Sequence, residues 1–182
     1  MNYKTYQRMK NRRYIFLAIV SIYFTWVVSS CISKPEFAAE PAIEFDRISV
    51  DRVLDILGNV TDSVTISIKF QDGDGDLGAF AGDVEDNFFV ELFQFRSGQF
   101  VKFTTPDSSL NFNGVFPDLN AEGTGPIEGT LIYSFPSIRA ETYRRLGIPQ
   151  NDIWKFQVSI KDRAGNVSNT VFTDSIFVNV GQ

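Results

Sequence analysis

The densest chemistry in this 182-residue sequence lies in one acidic loop, Gln71-Asp72-Gly73-Asp74-Gly75-Asp76-Leu77-Gly78. Carboxylates at i, i+2 and i+4 turn toward one point when intervening glycines let the backbone curl, and oxygen ligands so arranged suit a hard cation such as calcium. Without a cation, three clustered like charges raise one another's pKa and weaken the fold. Asp72, Asp74 and Asp76 are therefore metal-ligand candidates, with Asp83 as a further ligand and Glu85 and Asp86 as spare acids in the same segment. The pattern is not an EF-hand. Leu77 stands where that loop needs its Gly, Asp83 where it needs a bidentate Glu, and the preceding segment reads as strand rather than helix. The competing reading is a solvated turn whose Asp side chains accept backbone N–H groups.

A second polar loop, Asp162-Arg163-Ala164-Gly165-Asn166, also follows a strand directly. If the strands ending at Phe70 and Ile160 are the second and sixth of a sandwich, their ends emerge at one pole. Asp162 then joins the candidate ligands, and Arg163 comes within reach of the loop acids. The competing reading is an Asx-type turn between Asp162 and Asn166, with Gly165 at positive φ.

The elements that must position these loops alternate with period two. Val64, Ile66, Ile68 and Phe70 are separated by Thr65, Ser67 and Lys69, while Trp154, Phe156, Val158 and Ile160 are separated by Lys155, Gln157 and Ser159. A third such strand runs over 171–180, and weaker ones over 42–50, 88–95, 100–104 and 128–135. Arg96-Ser97-Gly98-Gln99 reads as a hairpin turn with Gly98 left-handed. About seven strands predict an all-β, immunoglobulin-like or fibronectin-like sandwich, with an open antiparallel barrel as the alternative. One short crossover helix is expected over 137–146, capped by Ser137 and stopped by Gly147. The long stretch 106–125 is expected to be functional or mobile.

Composition narrows the chemistry. The chain has no His and one Cys, so a Ser-His-Asp triad, a disulfide within the chain and the usual zinc centre are excluded. A two-carboxylate hydrolase needs no His, but Glu91, Glu128 and Glu141 stand alone and no Ser sits in a nucleophile elbow. A non-enzymatic module is expected, with a carboxylate-based hydrolase as the lesser alternative. In 88–95 both faces are apolar: Phe88, Val90 and Leu92 on one side, Phe89, Phe93 and Phe95 on the other. One face enters the core. The other meets an envelope protein or glycan partner, or is covered by Phe100, Phe103, the long loop or the helix.

The N-terminus supplies an address. Lys4, Arg8, Lys10, Arg12 and Arg13 precede an apolar run from Tyr14 to Val28, the n-region and h-region of an export signal. The run ends in Val28-Ser29-Ser30-Cys31, which resembles the lipobox of bacterial lipoproteins and implies lipidation of Cys31. An uncleaved membrane anchor is the alternative. Removal of residues 1–30, which carry five basic residues and no acid, leaves 152 residues with 12 Lys+Arg against 22 Asp+Glu, a net charge of -10. No basic stripe remains to neutralise phosphates, so a nucleic-acid partner is excluded. The layout reads as signal peptide 1–30, lipidated tether 31–40 and one domain over 41–182.

The lipobox-like start, the acidic loop after Phe70, and Ile160-Lys161-Asp162-Arg163-Ala164-Gly165-Asn166-Val167-Ser168-Asn169 together resemble small Bacteroidota lipoproteins with immunoglobulin-like β domains. Lys34 and Glu36 match in part the charged stretch that such lipoproteins carry after the acylated Cys. The resemblance implies an outer-membrane lipoprotein, leaves its leaflet open, and carries over no catalytic residue.

Overall fold

The alternating stretches pair into two antiparallel sheets whose apolar faces meet. The computed structural model describes residues 36–54, 58, 60–104, 110–120, 125–135, 145–149 and 151–179. Its strands are β1 (Ala42–Leu54), β2 (Val60–Asp72), β3 (Phe88–Arg96), β4 (Gln99–Lys102), β5 (Ile127–Phe135), β6 (Asn151–Ile160), β7 (Val171–Phe172) and β8 (Ile176–Asn179). One sheet has the order β1-β2-β5; the other has β4-β3-β6-β7, with β8 also pairing β6. This division, first, second and fifth strands against the rest, is an immunoglobulin-like sandwich.

Side-chain parity builds the core. Val64, Ile66, Ile68 and Phe70 of β2 face Trp154, Phe156, Val158 and Ile160 of β6, all buried, together with Phe88, Val90 and Leu92 of β3. Aromatic contacts join the layers: Phe135 meets Phe156 at 5.3 Å between ring centres, and Phe88 meets Tyr133 at 4.5 Å. The β3–β4 turn has positive φ at both Ser97 (51°) and Gly98 (89°), the twist that suits a two-residue hairpin loop.

Two expectations change in detail, and a third lies mostly outside the described residues. The single strand expected over 171–180 is interrupted. Thr173 exchanges its N–H and hydroxyl with the Phe156 backbone, and its hydroxyl turns to the Asp174 carbonyl, so the edge restarts as β8. The described part of the long stretch, 110–120 and 125, reaches into the core through Phe112 and Phe116, which are buried while Val115 is exposed, and Gly114 bridges Phe88. Of the expected helix, residues 137–144 lie outside the described residues; Arg145 is helical and Gly147 has φ 68°.

Candidate metal centre

Two strand ends create the site. In β2 the inward positions run Val64, Ile66, Ile68, Phe70 and then Asp72; in β6 they run Trp154, Phe156, Val158, Ile160 and then, just past the strand, Asp162. Period-two geometry therefore carries a carboxylate inward from each sheet at one pole. Asp72 has no accessible surface and Asp162 has 4%. The loop after β2 then folds back to bring Asp76 between them. Ligand oxygens of Asp72, Asp76 and Asp162 all lie within 4.8 Å of one another.

The glycines permit this curl. Gly75 has φ 73°, and a Cβ there would collide with the Gly125 carbonyl oxygen. At Gly73 the backbone passes so close to 37–38 that a side chain is excluded, and its N–H donates to the Ala38 carbonyl at 2.8 Å. Segment 116–120 holds the loop from the other side: Ala79 N–H donates to Phe116 O at 2.9 Å, and Leu119 N–H to Leu77 O at 3.1 Å. The β6–β7 loop closes the third side. Ala164 N–H donates to Asp76 Oδ2 at 2.9 Å, while Asn166 donates to Asp162 through its backbone N–H (2.7 Å) and side-chain amide (2.8 Å). With Gly165 at φ 92°, Asp162 closes the Asx-type turn and faces the cluster at once.

The electrostatics are uncompensated. Both Asp72 oxygens and Asp76 Oδ1 are buried without a hydrogen-bond partner. Burial, and then the charges of Asp74, Asp76 and Asp162, push the Asp72 carboxyl from 3.8 up to about 6; the nearby Leu77 N–H opposes the rise without closing a hydrogen bond. Asp76 is also raised, by burial and then by Asp162 and Asp74, against the Ala164 hydrogen bond. No basic side chain contributes to either shift. Arg163, expected within reach of these acids, turns away to Asp118 (2.9 Å) and the Gly78 carbonyl (3.2 Å), with its guanidinium 4.5 Å from the Phe80 ring centre.

The five candidate ligands thus separate. Asp72, Asp76 and Asp162 converge. Asp74 stands exposed at the rim, its Oδ1 accepting the Asp76 N–H at 3.4 Å. Asp83 lies outside the cluster, because its carboxylate accepts the Phe80 N–H at 3.0 Å and closes a local turn. The spare acids are engaged elsewhere, Glu85 with Lys161 (3.0 Å) and Asp86 with Asn111 (3.4 Å). Phe89, Phe93 and Phe95 lie on the outer face of the second sheet. Phe100 packs on Phe95 and Phe172 on Phe93, whereas Phe103 packs against the core instead.

Three converging carboxylates can hold a hard divalent cation, whose ligand oxygens sit about 2.3–2.6 Å from a calcium centre. No protein-family model and no curated protein matches this chain, so the site's own chemistry carries the functional reading.

Proposed function

We propose that the chain is a cell-envelope lipoprotein: a non-enzymatic structural or accessory sandwich, anchored in the outer membrane through lipidated Cys31, with one calcium ion closing the pole beyond β2 and β6. The observation that carries the cation is Asp72, fully buried, with two unpartnered oxygens facing Asp76 and Asp162. A buried carboxylate needs hydrogen bonds, an opposite charge or a metal. Calcium is favoured over magnesium because magnesium dehydrates reluctantly and keeps several waters, while the unpartnered oxygens here are shut off from solvent. The anchor rests on the basic start, the apolar run and the place of Cys31 immediately after it.

Thermal unfolding of the full chain in detergent, stripped with chelator, tests the cation. Millimolar calcium raises Tm, magnesium does so far less, and Asp76→Asn removes the response. Equal response to both ions, or no response, removes the calcium assignment. Labelled palmitate incorporated by the wild type and lost in Cys31→Ser tests the anchor; label retained in that variant contradicts it.

A further inference from the structure

The outer face of the β4-β3-β6-β7 sheet carries an aromatic patch whose Phe95, Phe100, Phe172 and Phe177 are exposed. Strand register sets Phe95 beside Phe100, Phe93 beside Lys155, and Ile153 beside Phe177. Phe177 is 61% exposed and Phe172 46%. At the centre, Lys155 Nζ lies 4.9 Å from the Phe172 ring centre and 5.6 Å from that of Phe100. Its neighbours are neutralised, Lys102 by Glu91 at 2.6 Å and Lys161 by Glu85 at 3.0 Å. Among the described residues no carboxylate pairs with Lys155.

The chemistry selects the occupant. A sheet face is not the concave site that encloses a small molecule, so it suits a macromolecule. The rings meet edge to face, at 61° for Phe95–Phe100 and 75° for Phe93–Phe172, which gives sugar rings no shared platform. A second copy stacked on this face about a twofold axis would bring one Lys155 toward the other. Apolar rings around an unpaired ammonium complement apolar side chains around a carboxylate. The chain's overall negative charge does not reverse that choice at contact, since salt screens it beyond about 8 Å.

We propose that this face binds an extended polypeptide segment of a partner protein in which Asp or Glu lies between apolar residues, the carboxylate meeting Lys155 and the apolar groups meeting Phe95, Phe100, Phe172 and Phe177. Such a segment brings the opposite charge and covers the rings together. The inference rests on the accessory-module reading, but its test does not. Peptide binding is read on the purified chain wherever it resides, and failure here leaves the cation and anchor standing.

The test pans the immobilised full chain, in detergent, against a random-peptide phage library, then measures enriched synthetic peptides on wild type, Lys155→Glu and Phe177→Ser. Phe177 is exposed and Lys155 half-buried, and melting curves of both variants check folding. The expected result is enrichment of acidic residues flanked by apolar ones. Affinity then falls about tenfold or more in Lys155→Glu, falls in Phe177→Ser, and returns in Lys155→Glu when Lys replaces the acidic residue of the peptide. No enrichment, or peptides indifferent to both substitutions, overturns the proposal. It is also overturned if cellohexaose or xylohexaose binds this face in place of peptide, or if concentration-dependent self-association of the chain is lost in Phe177→Ser.

Discussion

The two poles of the sandwich each bury a carboxylate at a strand end, Asp152 at the start of β6 and Asp72 at the end of β2, and they are treated in opposite ways. At the start of β6, Asp152 is 5% exposed and fully engaged: Arg96 donates twice, at 2.6 and 2.8 Å, Trp154 Nε1 at 2.9 Å and the Ile153 N–H at 2.9 Å. At the opposite pole, where Asp162 follows β6, Asp72 meets two more acids and, among the described residues, no basic side chain that contributes to its shift. The antiparallel pairing of β3 with β6 explains the first end, because Arg96 leaves β3 where Asp152 enters β6. At the other end Arg163, next to Asp162 in sequence, is held by Asp118. Among the described residues, the fold neutralises the first buried carboxylate with Arg96 and gives the second no opposite charge.

The largest expected effect is calcium itself. At a free concentration about a hundredfold above its dissociation constant it adds about 2.7 kcal/mol to the native state, read as a rise in denaturation midpoint. Next is Asp152→Ala, which strands Arg96 and costs about 2 kcal/mol with or without calcium; the side chain of Arg96 is 38% exposed, so the loss falls below that of a fully buried pair. An equal loss from removing either buried carboxylate under all conditions would erase the distinction between the two ends.

Asp72→Asn separates the ends by sign. In chelator it stabilises, on the order of 1 kcal/mol, by removing an uncompensated charge; in calcium it destabilises, because a ligand is gone. The pH dependence follows the same logic. The native state holds the Asp72 proton more tightly than the unfolded chain, so this group favours folding at low pH, and its contribution is lost as pH rises from about 4 through about 6. Cation-free melting curves should decline across that window. Calcium, which needs the deprotonated ligand, should stabilise more as pH passes about 6. The smallest effect is Asp83→Ala, about 0.5 kcal/mol from its turn, with calcium affinity unchanged.

The sandwich was legible because alternation is local. Val64 to Phe70 and Trp154 to Ile160 declare their inward faces without reference to the rest of the chain. The acidic pole was legible in part. The i, i+2, i+4 spacing singles out Asp72, Asp74 and Asp76 alike, but strand parity ends at Asp72, and the turn after it points Asp74 to solvent. Counting two residues past Phe70 and past Ile160 would have marked Asp72 and Asp162 as the buried pair. Asp152 sits at the same parity on β6, yet its partner Arg96 is 56 positions away, and only the β3–β6 register joins them. Asp83 satisfies the ligand count by residue type alone. Its local turn to Phe80 needs no tertiary context and claims the carboxylate first. The outer aromatic face was half legible: Phe89, Phe93 and Phe95 lie on one strand, but Phe172 and Phe177 come from an edge broken at Thr173.

The most direct test is calorimetric titration of calcium into the chelator-stripped full chain, wild type and Asp72→Asn side by side at neutral pH. A single saturable site is expected in the wild type and none in the variant. Heats that are absent from the wild type, or identical in both proteins, would contradict it.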